Sequence, residues 1–198
     1  MNANIPDSPR AAMIVLGIAL ICAVTVTWLR TDTAAHASGT SARGSLLVTS
    51  NSFADGAQVP EKFTCDGQDV SPALAWSALP PGTQSVAIVM DDPDAPMPFV
   101  HWMAYDLPAG TQALAEGASS HLPDGAKEGE NSFGHLGYGG PCPPPGKPHH
   151  YVFRIYALDS RVQLPSGANK RQLTAAMEHH VIAEGKITGL YSRTGTSQ

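Results

Sequence analysis

From residue 46 onward the chain is built from short segments rich in β-branched and aromatic residues, each closed by Gly, Pro, Asp or Ser. They read SLLVTS, QVPEKFT, PALAWSAL, QSVAIVMDD, FVHWMAYDLP and HYVFRIYALD. Such residues fit a pleated, half-buried surface, and the turn formers between them break the chain too often for long helices. Ser85 to Met90 is almost continuously apolar, as expected of a central strand buried on both faces. His101–Leu107 and Tyr151–Leu158 partly alternate, which predicts one polar and one apolar face. No regular strand–helix alternation separates these segments, so the expected class is mainly β, with antiparallel or mixed sheets rather than βαβ repeats.

One helix is predicted, over Asn169–Glu184. Leu173, Ala176, Met177, His180 and Val181 follow the spacing of an apolar helical face, with Asn169 as N-cap and Gly185 closing the C-terminus. On that face His180 is expected to be a core histidine bonded to backbone. The segment LPDGAKEGENSFGHLGYGG is long and irregular, a property more often functional than idle.

The first 45 residues fall outside this pattern. Ala11–Leu29 is an uncharged run of 19 residues flanked by Arg10 and Arg30. As a helix it would just cross a hydrocarbon core of roughly 30 Å. Ala35-His36-Ala37 offers a signal-peptidase site after Ala37, whereas the length of the run favours an uncleaved anchor. A buried core helix is disfavoured because nothing amphipathic flanks it. Cys22 follows Ile21, which disfavours a lipoprotein. Either main reading exports the domain, periplasmic or otherwise extracytoplasmic, with a leader or anchor over 1–37, a flexible tether over 38–45 and a folded domain over 46–198. The chain carries a net charge of −5, and its leader removes as many bases as acids. Without a basic stripe, nucleic acid is excluded as the main partner. An oxidising compartment makes the two cysteines of the domain, Cys65 and Cys142, candidates for a disulfide.

Three places put polar residues beside strands. Asp91-Asp92-Pro93-Asp94-Ala95-Pro96 follows the most apolar strand as a proline-stiffened acidic turn. His101-Trp102 begins the HWMAYDL run, and a carboxylate such as Asp92 could orient that imidazole. GGPCPPPGKPHHY looks like a linker but runs straight into a strand, on which His149 and Tyr151 would share one face and His150 the other. Together Asp92, His101, His149 and Tyr151 offer donors to an oxyanion. The same residues could ligate zinc, but no HExxH or similar spacing supports a metal. No G-x-S-x-G elbow and no cysteine with an adjacent base supports a nucleophile, so neither a catalytic residue nor a cofactor is assigned.

DDPDAP, then HW, then GYGGPCPPPGKPHHYVFRIYALD resemble the signature blocks of the phosphatidylethanolamine-binding proteins, also called the Raf kinase inhibitor-like family. FTCDGQDVSPALAWSALP and MEHHVIAEGKITGLYSR point to its bacterial branch. The resemblance covers about Leu46 to Arg193. It implies a β-sandwich with a large central antiparallel sheet, a smaller sheet and a C-terminal helix. It also implies a pocket for phosphate-like groups made by Asp92, Pro96, His101, His149 and Tyr151, with Pro141, Cys142 and Pro143 on its rim. In this family the residue after the first histidine of the H-x-Y block is usually arginine; here it is His150, and a surface salt bridge is expected to be lost. Family members are generally binding proteins and regulators. The expected ligand is a small anionic or phosphorylated group, such as a phospholipid headgroup. The alternative is control of a protein partner, a protease or kinase, through loop 117–138. The membrane is a further contact if the N-terminal run is uncleaved.

Overall fold

The structure, a computed structural model, describes residues 43–193. Nine strands run in the order β1 (Gly44–Ser45), β2 (Val48–Thr49), β3 (Leu74–Trp76), β4 (Ser85–Asp92), β5 (Phe99–Pro108), β6 (Ala113–Leu114), β7 (Lys127–Glu128), β8 (His149–Leu158) and β9 (Val181–Tyr191). Among the described residues one α-helix, α1 (Lys170–Met177), precedes β9. The six-stranded sheet has the order β1-β9-β8-β4-β5-β7 and is antiparallel apart from β1 on β9. A three-stranded antiparallel sheet, β2-β3-β6, completes the sandwich.

The apolar residues divide by face. Val86, Ile88 and Met90 from β4 join Tyr151, Phe153 and Ile155 from β8 in the core that also takes Leu74 and Trp76 of the small sheet. Ala87, Val89, Met103 and Tyr105 point the other way and meet Leu173 and Met177 of α1. β4 is therefore buried on both faces, as its apolar run predicts. The alternation expected of β5 is absent as exposure, because that strand is buried from Val100 to Leu107. Its second face is covered by α1 and by the chain around Ala168.

Several expectations are corrected. QVPEKFT is no strand: Gln58 makes only an isolated bridge to Leu190, and Glu61–Phe63 forms a 3-10 turn. The helix stops at Met177 rather than Glu184. Asn169 caps its start as expected, through a reciprocal capping box with Gln172. Its end is set by Glu178 and by His179 at φ 66°, while Gly185 lies inside β9. His180 is exposed, and its Nδ1 meets Asp159 Oδ1 at 2.7 Å, so it is no core residue. Strand pairing also begins at Gly44, inside the stretch read as a tether. β9 went unread as a strand because Gly185 and Gly189 interrupt it. Both glycines permit close approach: a Cβ at Gly185 would lie 2.1 Å from the Leu46 carbonyl oxygen, and one at Gly189 would lie 2.3 Å from Val59 Cγ2.

Among the described residues no helix is long and apolar enough to cross a membrane. The Ala11–Leu29 run and the Ala37 cleavage site lie outside them.

Candidate functional site

The acidic turn at the end of β4 distributes its three carboxylates among three different places. Asp91 accepts from Arg154 Nη1 at 2.8 Å and from Lys170 Nζ at 2.6 Å, on the face where α1 packs. Asp92, one residue on, points to the opposite face and is buried. Its Oδ1 accepts the Asp94 and Ala95 N–H groups at 2.9 and 3.1 Å, closing the turn, while Oδ2 meets His149 Nδ1 at 2.7 Å. Asp94 takes the His150 backbone N–H at 2.7 Å and its Nδ1 at 2.8 Å. Those bonds, the backbone one first, hold the Asp94 carboxyl below its ordinary range. His150 thus binds Asp94 through both its backbone and its ring.

His101 reaches the site through a bulge. Met90 sits opposite Trp102 and Asp91 opposite Val100, which leaves His101 as the extra residue of β5. A bulge lets consecutive side chains depart from strict alternation. Trp102 enters the core, and His101 still packs edge-on against Tyr151, with ring centroids 5.1 Å apart. Phe99 and Phe133 flank the same imidazole at 4.9 and 5.4 Å.

The partner expected for His101 is also corrected. Asp92 does not orient it; that carboxylate is taken by His149. His101 Nδ1 instead lies 2.7 Å from the Gly139 carbonyl oxygen and 3.1 Å from that of Gly140. Carbonyls only accept, so Nδ1 carries the proton, and the neutral ring presents Nε2 as an acceptor. Burial is the dominant influence on this imidazole and holds its pKa below the ordinary histidine value, partly offset by Gly139, Asp92, Gly140 and Asp69.

On β8 the alternation falls as expected: His149 is half-buried, His150 exposed and Tyr151 buried. The Tyr151 hydroxyl is sealed from solvent and has no hydrogen-bond partner. The Cys142 backbone approaches it without completing a bond. Burial first, and the Asp92 charge second, push this phenol far above its ordinary value, so it stays a neutral donor. A buried hydroxyl without a partner is costly and uncommon.

Pro141 and Pro143 are buried and Cys142 half-buried beside this cluster. Cys142 is joined to Cys65 by a disulfide of 2.03 Å. Pro96 is exposed and borders a shallow hollow of about 360 Å³, together with Asp92, Met97, Phe99, Arg154 and Lys170. Larger hollows lie elsewhere: one of about 830 Å³ runs along α1, one of about 750 Å³ lies between Pro60, Asp66, Tyr191 and Arg193, and one of about 460 Å³ lies beside Gly44, Tyr156 and Lys186. Among the described residues no three His, Cys, Asp or Glu side chains gather as a metal site. Sequence reasoning missed Gly139, Gly140, Phe99, Phe133 and Asp69. The glycine pair before Pro141 was the available signal, because a Cβ at Gly139 would meet Phe133 Cδ2 at 2.7 Å and one at Gly140 would meet the Phe63 carbonyl oxygen at 2.4 Å.

Comparison with known proteins gives consistent matches. The family model for phosphatidylethanolamine-binding protein matches residues 49–192. A UPF0098 protein of Methanothermobacter thermautotrophicus is 44% identical over 149 residues, 74% of this chain and 98% of the relative. One from Aquifex aeolicus is 43% identical over 77% of this chain and 92% of its own length. Among solved structures, E. coli YbcL, described as a new member of the mammalian PEBP family, matches with a TM-score of 0.72 at 36% identity, covering 75% of this chain and 99% of YbcL. A putative PEBP homologue from Chlamydia trachomatis matches with a TM-score of 0.69 at 35% identity, covering 76% and 99%.

Proposed function

From the premise that the chain belongs to the phosphatidylethanolamine-binding protein family, we propose that it is an exported binding protein whose Asp92, His101, His149 and Tyr151 take a small phosphate-like anion. A phospholipid headgroup and a free phosphate monoester share that chemistry. The observation that carries the reading is the Tyr151 hydroxyl, buried and without a partner, next to two imidazoles whose Nδ1 atoms are already engaged. A ligand oxygen would give the phenol its missing acceptor. His149, its Nδ1 held by the Asp92 carboxylate, would turn Nε2 to the ligand, and the buried neutral His101 would accept a hydrogen bond from a proton-bearing group of the ligand. No catalytic residue and no metal enters this reading.

Titration with phosphate and with phosphorylethanolamine, followed by NMR, tests it. His101→Ala and His149→Ala should each weaken binding at least about tenfold, the scale of one charge-assisted hydrogen bond. Equal binding by wild type and both variants overturns the assignment. Export, carried by Ala11–Leu29, is tested by fractionation and N-terminal sequencing, where a mature start at Ser38 marks cleavage and an intact start in the membrane fraction marks an anchor.

A second reading, control of a protein partner through loop 117–138, is favoured by the exposure of Phe133 and Leu136, at 40% and 58%. If it holds, Leu136→Asp, which leaves Phe133 and Tyr138 in place, abolishes capture of a partner from periplasmic extract while leaving anion binding in place.

A further inference from the structure

Two loops close around His101 from outside the sheet, and they are tied to each other by three hydrogen bonds and a disulfide. The Tyr138 hydroxyl donates to the Phe63 carbonyl at 2.7 Å, and the Cys65 N–H donates to that of Pro141 at 3.2 Å. The Gly140 N–H donates to Asp69 Oδ1 at 2.6 Å. The Cys65–Cys142 disulfide, with Cα atoms 5.4 Å apart, makes the link covalent. Asp69 holds a left-handed backbone, φ 56°, a conformation that Asp tolerates better than most residues.

All of these ties bear on the two residues that face the imidazole. Gly139 and His101 form a reciprocal pair: the Gly139 N–H donates to the His101 carbonyl at 2.8 Å, and the ring Nδ1–H donates back to the Gly139 carbonyl. The Gly140 carbonyl is the second acceptor, and its own N–H is anchored by Asp69. Both glycines are buried with no room for a side chain. Such a ring tautomer is set by the bond the other nitrogen makes, so whatever holds these carbonyls decides which nitrogen faces outward.

We propose that Asp69 and the Cys65–Cys142 disulfide are positioning elements that hold the Gly139 and Gly140 carbonyls on His101 Nδ1, keeping Nε2 the unprotonated ring nitrogen. Asp69 touches no ligand in this arrangement and acts through Gly140. The disulfide fixes the same loop from its other side, and Cys65 is exposed, so a dithiol reagent reaches it. The consequence for ligand binding rests on the anion-site reading above; the consequence for the His101 tautomer does not.

Nitrogen-15 NMR of the full-length protein, labelled at histidine, separates the two. Without ligand, wild-type His101 should show one ring tautomer protonated at Nδ1, with a proton slow to exchange. Asp69→Ala should convert it to a mixture of tautomers and speed that exchange, and the Cys65→Ser/Cys142→Ser variant and wild type reduced with dithiothreitol should do the same. Asp69→Asn, which keeps an oxygen acceptor for the Gly140 N–H, should restore the wild-type signature and so separates a positioning bond from a bare charge effect. Phosphorylethanolamine affinity should fall about five- to tenfold wherever the tautomer is mixed, and stay at the wild-type value in Asp69→Asn. A pure Nδ1–H signature in Asp69→Ala and in the reduced protein overturns the proposal. If the tautomer responds but wild type binds no phosphorylethanolamine, the positioning stands and the anion-site reading falls.

Discussion

His101 and His149 meet one site from different strands, and the protein treats their imidazoles in opposite ways. His101 is 2% exposed, hemmed by Phe99, Phe133 and Tyr151, and its Nδ1 donates to uncharged carbonyls. Burial disfavours a positive charge there and outweighs the Gly139 and Gly140 carbonyls and the Asp92 and Asp69 carboxylates, which favour one. His149 is half-buried, and its Nδ1 meets the Asp92 carboxylate at 2.7 Å. One imidazole is held by uncharged carbonyls amid aromatic rings, the other by a carboxylate nearer the surface. In the anion site proposed above, the two rings would meet a ligand from differently polarised surroundings. Among the described residues no lysine or arginine hydrogen-bonds or pairs with His101, His149 or Tyr151.

The largest effect should come from breaking the carboxylate-held half. Asp92→Ala removes the acceptor of His149 and of two turn N–H groups at once. Losing one partner of a buried pair typically costs about 3 kcal/mol, so chemical denaturation should show a loss of that order, and anion binding should vanish. The His101 ring resonances should keep their wild-type pattern, because its clamp comes from Gly139 and Gly140. If they shift as far as those of His149, the two halves are one coupled unit and the contrast fails.

The contrast itself could not be read from the sequence, although most of the surrounding fold could. β4, β5 and β8 announce themselves through β-branched and aromatic runs, and Asn169 through its capping chemistry. β9 does not, because its glycines answer to backbone neighbours far away in sequence, Leu46 and Val59. The site residues His101, His149, Tyr151 and Asp92 stood out as polar groups beside apolar strands. Which histidine Asp92 serves did not, because a single-residue bulge at His101 decides it. A bulge is a register property of two strands together, and neither strand carries it alone. His180 departs from its helical pattern for a related reason: helical periodicity continues past Met177, but the chain turns there into β9 of the large sheet.

The neutral phenol sharpens the contrast through effects of opposite sign. Tyr151→Phe deletes a buried hydroxyl that has no partner, so stability should hold or rise by up to about 1 kcal/mol. Affinity for phosphate should drop about tenfold if that hydroxyl meets the ligand. Thermal unfolding and calorimetric titration of the same sample check both. A clear loss of stability would mean the hydroxyl is already satisfied and is no donor in waiting.

A smaller effect distinguishes the neutral imidazole by pH. His101 ionises lower in the folded protein than in the unfolded chain, where the value is about 6.5. Between the two values the unfolded chain binds more protons, so its stabilising contribution is present above about pH 6.5 and lost as the pH falls below it. His101→Phe keeps an aromatic ring but cannot titrate. Between pH 7 and pH 5 wild type should lose about one to two degrees more in Tm than the variant. The opposite difference would mean that the folded state favours the imidazolium at His101, and the division between the two histidines would collapse.

The smallest effect is expected at His150, the residue next to His149 that points away from the site. Its pair with Asp94 is largely solvent-exposed, with side chains 55% and 41% accessible, and exposed pairs contribute little. Asp94 owes its lowered pKa first to the His150 backbone N–H, which His150→Ala leaves in place. Unfolding stability should therefore change by less than about 0.5 kcal/mol, phosphate affinity should not change, and the Asp94 carboxyl, followed by NMR, should still titrate below its ordinary range. Stability drawn from that carboxyl is present above about pH 3.9 and is lost as the pH falls through the lowered value, in the variant as in wild type. If His150→Ala weakens anion binding as much as His149→Ala does, the strand's alternation no longer separates a site face from a surface face, and the assignment of His149 goes with it.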